Sequence, residues 1–259
     1  FYQSSSVLFD DQALGTTSVN LVTNVAPGAI VVDNSTRDYS FNGVGRITGT
    51  SSLVKRGTAS LTINTTNNSY SGKTLIDGGG TLIATVPNSL GANSALVLSN
   101  ASTLSLGANA QKFGSVTVAS GTISGPTTIT ASSFHLDQGV VEPMLAGGTL
   151  STFGPSTDQV SVFGANTYTG RTFLAGSTLL ATNLANGGQP SSVGASSSSP
   201  TNLVFAGGGL SYAGPAAATD RGYAVAGGGT LSVSSDLTLH GEITATTGLF
   251  AKSGPSTLA

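Results

Sequence analysis

The chain has 259 residues, a formal net charge of −2 and no Cys, with nine Lys and Arg against eleven Asp and Glu. Charged residues make up 8% of it, where an ordinary soluble domain carries about 25%. Nine scattered cations cannot supply the basic stripe that nucleic acid requires, and Cys-based zinc, disulfide and redox chemistry is excluded.

Gly is abundant, at 36 residues, yet Leu, Ile, Val and Phe still make up about a quarter of the chain, above the ~20% floor below which chains stay disordered. In chain order, Leu61-Thr62-Ile63, Leu96-Val97-Leu98, Leu104-Ser105-Leu106 and Val116-Thr117-Val118 alternate inward and outward positions. Val160-Ser161-Val162, Leu231-Ser232-Val233 and Leu237-Thr238-Leu239 do the same. A period of two puts alternate side chains on opposite faces of a strand. Asn42-Gly43 and Asn186-Gly187 supply positive φ for tight turns. Gly78–Gly80, Gly207–Gly209 and Gly227–Gly229 mark corners or close backbone approach. The tetrapeptide Gly154-Pro155-Ser156-Thr157 returns at Gly254–Thr257, and Gly187–Pro200 reads as a surface loop. No window carries a helical stripe, and no apolar run reaches the ~18 residues of a membrane-spanning helix. The fold class is all-β.

Internal repeats set the architecture. NSYSGKTLIDGGGTL at 68–82 returns as NTYTGRTFLAGSTL at 166–179. Asn68, Tyr70, Gly72, Thr74 and Gly78 match Asn166, Tyr168, Gly170, Thr172 and Gly176. Downstream, NSLGA at 88–92 matches SSVGA at 191–195, and LVLSNASTLSLG at 96–107 matches LVFAGGGLSYAG at 203–214. A second set pairs Lys55, Gly57 and Leu61 with Lys252, Gly254 and Leu258. The run from Leu53 to Leu82 resembles the autotransporter-associated β-strand repeat, and Asp220–Tyr223 with Gly227–Leu231 is similar to another recurrent part of such proteins. The resemblance implies a right-handed parallel β-helix, a solenoid of roughly 20-residue coils. It covers about half of the chain.

A solenoid stacks strands in parallel, fills its inside with apolar ladders and turns its corners on Gly and Asn. In such stacks like charges would lie one strand spacing apart, so low charge is the expected composition. The repeated Tyr70, Gly72, Thr74, Gly78, Tyr168, Gly170, Thr172 and Gly176 are expected at structural positions, the ring at a corner and Gly at the turn. Their functional alternative is an aromatic platform for glycans or a partner.

The remaining chemistry is sparse. Ser133, His135 and Asp137 alternate along one strand, and His240 with Glu242 forms a similar pair, but neighbours on one strand point the same way rather than converging. Asp10-Asp11 is the one adjacent carboxylate pair, short of the converging oxygens calcium needs. Gly43–Gly49 lacks the spacing and the helix of a dinucleotide fingerprint. No catalytic residue, cofactor or metal is expected. The chain reads as one continuous segment, 1–259, of a longer repeat protein. The expected function is a non-enzymatic structural stretch of a large bacterial extracellular or cell-surface protein, a stiff rod able to assemble into a fibre or matrix. Its expected partners are homotypic, through coil ends or lateral faces. The alternative is an autotransporter adhesin passenger whose loops meet glycans or proteins of host or neighbouring cells. A carbohydrate-active β-helix is a third reading.

Overall fold

A computed structural model describes residues 3–259, almost all strand and turn, with a single 3-10 turn at Pro200–Asn202. These residues divide into two compact units that meet in sequence at Ala131 and Ser132. Each unit is a β-solenoid of parallel strands, so the all-β class read from the alternation and the solenoid implied by the resemblance are the fold observed.

In the first unit one stack runs Ser6–Asp10, Ala29–Asp33, Ser52–Arg56, Thr74–Ile76, Ala95–Leu98 and the start of Ser115–Ser124. A second runs Ser18–Asn20, Tyr39–Asn42, Ser60–Ile63, Thr81–Ala84, Ser102–Ser105 and the end of Ser115–Ser124. Alternation converts directly into ladders. Tyr39, Leu61, Leu82, Leu104 and Ile123 face inward in register and are buried. So are Val32, Lys55, Ile76, Leu98 and Val118, in which Lys55 is the charged member. Burying such side chains contributes about 1.5–3 kcal/mol each, and because each rung touches mainly the next coil, stability is built up coil by coil.

The outer face carries polar ladders. Asn42 donates from Nδ2 to the hydroxyls of Ser18 and Ser40, and Asn64 Nδ2 donates to Asn42 Oδ1. Stacking does not keep like charges apart everywhere. Asp10 and Asp33 are in direct register, and Arg56 stands in register with Asp33 on the next coil. The opposite charge beside the pair offsets the repulsion that makes stacked like charges unfavourable.

In the second unit Met144–Thr152, Thr172–Leu174, Leu203–Phe205, Tyr223–Ala226 and Ile243–Thr247 form one stack. Gly139–Val141, Gln159–Val162, Thr178–Ala181, Gly209–Tyr212, Gly229–Val233 and Phe250–Ser253 form the other. Ala217–Thr219 and Leu237–Leu239 make a short third side. Leu210 pairs with Leu231, 21 residues on, but Leu179 pairs with Leu210, 31 residues on. The extra length lies within the stretch that sequence reading assigns to a surface loop.

Candidate functional site

The repeated motif builds the same module in both units, and it faces inward. Tyr70 and Tyr168 are fully buried. The Tyr70 hydroxyl lies 2.8 Å from Thr74 Oγ1, which is 3.1 Å from Ser94 Oγ. The Tyr168 hydroxyl lies 2.7 Å from Thr172 Oγ1, which donates to the Val193 carbonyl at 3.1 Å. A buried phenol needs such a partner. Burial raises the pKa of both phenols, against the smaller opposing effect of the threonine bond.

The buried asparagines that precede them bridge three coils. Ile47 N donates to Asn68 Oδ1 at 2.7 Å, and Asn68 Nδ2 donates to the Ser89 carbonyl at 2.6 Å. Leu145 N donates to Asn166 Oδ1 at 2.7 Å, and Asn166 Nδ2 donates to the Ser192 carbonyl at 3.5 Å. The later repeat completes the module. Gly91 and Gly194 lie against the Tyr70 and Tyr168 rings, where a Cβ would come within 2.8 Å of each Cδ2. Gly72 and Gly170 sit close to backbone of the preceding coil, at Ser51 and Gly148. Gly78 has φ +95°, whereas its counterpart Gly176 needs no positive φ and instead packs against the Gly154 carbonyl. The aromatic-platform alternative is overturned for these tyrosines, because a ring with no exposed surface cannot meet a glycan.

The second repeat set holds locally and not globally. Lys55 Nζ donates back to the carbonyls of Arg56 at 2.5 Å and Gly57 at 2.8 Å. Lys252 Nζ likewise donates to the Gly254 carbonyl at 2.9 Å and to that of Ser256. Lys252, however, pairs with Leu231 in the other strand stack, so the shared letters encode a fold-back rather than a shared place. Burial lowers the Lys55 pKa to about 8, against the opposing pull of Asp33, Asp38 and Asp11.

The segment Gly187–Pro200 is exposed at Gly188, Gln189 and Ser197–Ser199, while Ser191–Gly194 is buried beneath Asn166 and Tyr168. Arg221, which composition does not single out, fastens it. This guanidinium is 4% exposed and donates to the carbonyls of Ala185 (2.8 Å), Asn186 (3.3 Å), Gln189 (3.0 Å), Gly194 (2.8 Å) and Ser196 (3.2 Å). Gly187 N adds a bond to Asp220 Oδ1 at 2.7 Å, and Gly222 N donates to the Ser198 carbonyl at 2.8 Å. The recurrent Asp-Arg-Gly-Tyr letters were the available signal.

His135, His240 and Asp11 lie in separate parts of the fold. His135 is exposed, with Nδ1 2.8 Å from Ser151 Oγ on the neighbouring strand. His240 and Glu242 are exposed near the end of the second unit. Asp11 caps a turn, its carboxylate accepting from the N–H groups of Ser35 (2.9 Å), Thr36 (3.1 Å) and Arg37 (3.1 Å). Those bonds lower its pKa, the Ser35 bond foremost. Gly43–Gly49 forms turn and bridge, with Ile47 buried against Val25. Among the described residues no group of three or more His, Asp or Glu is placed to hold a metal. An apolar cavity of about 300 Å³ opens at the first coil of the first unit, lined by Val7, Phe9, Val19, Leu21, Val25 and Phe41 among others. Among the described residues its strands Ser6–Asp10 and Ser18–Asn20 pair on one side only.

The chain is similar to part of an autotransporter adhesin. Over 226 residues it is 35% identical to the Adhesin BmaC autotransporter of Brucella suis biovar 1 (strain 1330). The match takes in 81% of this chain and 6% of that adhesin, so the chain spans a small fraction of its relative's length. No protein-family model matches the chain, and no solved structure gives a significant match. No helix among the described residues is long and apolar enough to cross a membrane, which says nothing of β-barrels.

Proposed function

We propose that this chain is a non-enzymatic scaffold segment of a bacterial cell-surface or extracellular protein of the passenger type, built from autotransporter-associated β-strand repeats. One observation carries the reading. The polar side chains that recur, Asn68, Tyr70 and Thr74 with Asn166, Tyr168 and Thr172, are buried and bind one coil to the next. Residues kept for a ligand would face solvent. Similarity to an adhesin autotransporter supports the surface setting. Homotypic stacking is part of the proposal: coils of this repeat type join through parallel strands and the buried bonds of the Asn and Thr side chains. End-to-end contacts of that kind would build a fibre or matrix.

The second reading is display of an adhesive loop to glycans or proteins of another cell. It is favoured by the lengthened coil that Arg221 holds in one shape, since a preorganised loop binds at lower entropic cost. Substituting Gln189 and Ser197–Ser199, exposed residues of this stretch, in the parent protein on living cells separates the two. Unchanged adhesion with unchanged reach of the protein supports the scaffold. Loss of adhesion with normal surface reach supports display. Electron microscopy of the purified chain tests assembly, and isolated particles at every concentration would sink the fibre element.

A further inference from the structure

Two Asn-Gly pairs stand in this chain, Asn42-Gly43 and Asn186-Gly187. The second meets a carboxylate. Gln189 N donates to the Asn186 carbonyl at 3.0 Å, closing a turn whose positive φ, +81°, falls on Gly188 rather than on Gly187. Gly187 is required by packing instead, because a Cβ there would lie 2.3 Å from Ser198 N. Asp220 touches the turn at two points. Gly187 N donates to Asp220 Oδ1 at 2.7 Å, and Asp220 N donates to Asn186 Oδ1 at 3.1 Å. The neighbouring Arg221 donates to the Asn186 carbonyl at 3.3 Å and so holds the turn against Asp220. Asn186 and Asp220 are both exposed, so water reaches the cluster.

That arrangement matches the demands of one reaction. An asparagine side-chain amide and the backbone nitrogen that follows it can close a five-membered imide. The nitrogen must lose its proton as it attacks Cγ, and negative charge develops on Oδ1. A positioned carboxylate meets the first demand as a general base, and a backbone N–H aimed at the oxygen meets the second. Asp220 supplies both groups within hydrogen-bond reach. Gly187 leaves ring closure free of a side chain. Asn42 provides the contrast. Its Nδ2 donates to the hydroxyls of Ser18 and Ser40 and its Oδ1 accepts from Asn64, so its amide is tied into a neutral ladder.

We propose that Asn186 is a self-modification site, at which Asp220 promotes closure of the side chain onto Gly187 N and water then opens the imide to aspartate or isoaspartate. The bond from Gly187 N to Asn186 Cγ forms as the N–H proton passes to Asp220 Oδ1, and the Asp220 N–H holds the oxygen of the tetrahedral intermediate. The bond from Cγ to Nδ2 then breaks, and the departing nitrogen takes the proton back from Asp220 and leaves as ammonia. Water adds to either carbonyl of the imide. Attack at Cγ restores the ordinary main chain with aspartate at 186, and attack at the main-chain carbonyl gives isoaspartate. Either product sets a second carboxylate beside Asp220, and isoaspartate also adds a carbon to the main chain. The segment that Arg221 fastens is thus loosened once and irreversibly.

Peptide mapping by mass spectrometry tests the site, with the whole chain incubated at neutral pH in heavy-oxygen water, once folded and once unfolded in guanidinium chloride. Label uptake marks each imide that water has opened. Asn186 should lose its amide at least about tenfold faster folded than unfolded, a fraction of the ~10²–10⁴-fold that a positioned base supplies. Asn42 should lose its amide more slowly folded than unfolded. Asp220→Asn keeps the backbone N–H and a side-chain oxygen, and should bring the folded rate at Asn186 down to the unfolded one while leaving Asn42 unchanged. A rate at Asn186 that folding leaves equal or lowers overturns the proposal. So does a fast folded rate that survives Asp220→Asn, which would trace the reaction to the turn alone.

Discussion

The Tyr168 hydroxyl lies 2.7 Å from Thr172 Oγ1, four residues on, and both side chains are fully buried. The pair turns a sequence motif into a fixed corner, because the threonine hydroxyl continues to the Val193 carbonyl of the lengthened coil. Tyr168→Phe keeps the ring and removes the hydroxyl, and should cost about 1 kcal/mol. Tyr168→Ala also removes the ring's packing and should cost about 3–5 kcal/mol. Denaturant unfolding checks both, and an unchanged stability of Tyr168→Phe would contradict the assigned role of the hydroxyl.

Gly194→Ala places a methyl against the Tyr168 ring, at a residue with φ +79°. Overpacking alone should cost about 1–3 kcal/mol, with backbone strain in addition. Gly188→Ala, also at positive φ but with nothing within 4 Å, isolates the strain. The difference between the two variants in a melting experiment measures the contact with the ring.

Arg221 predicts a local effect. Arg221→Met leaves the Gln189 carbonyl without its donor and takes one of two donors from Ala185 and Gly194, which keep Thr219 Oγ1 and Ser191 Oγ. Amide hydrogen exchange and proteolytic nicking should rise at Gly187–Gln189 while the strands Thr172–Leu174 and Thr178–Ala181 stay protected. Arg221→Lys should not restore protection, because one ammonium cannot reproduce a planar fork of five donors.

Lys55 gives a pH signature in the first unit. Burial lowers its pKa to about 8, below the 10.5 of the free side chain. Between those values the unfolded chain holds a proton that the folded chain has released, so this group's contribution to stability rises with pH. Below about pH 8 both states are protonated and the full penalty of the buried charge applies. The native chain should therefore gain on Lys55→Met from pH 8 to pH 10 in denaturant titrations. A constant gap across that window would refute the assignment.

Much of this fold was legible because period-two alternation maps onto inward ladders such as Leu61, Leu82 and Leu104. The module was half legible. Repetition marked Asn68, Tyr70 and Thr74, but letters alone do not say which face a tyrosine takes, and an aromatic platform stayed open until burial decided it. The Lys55 and Lys252 match misplaces the second lysine, since the fold-back onto nearby carbonyls is local and the choice of strand stack is not. Arg221 was hidden because its partners lie one coil away in space and many residues away in sequence.

Leu179 meets Leu210 in register even though their coil is ten residues longer than the one joining Leu210 to Leu231. What is held constant from turn to turn is the side of the coil, not its circumference. A coil can carry extra residues between its strands while the rungs on either side stay paired.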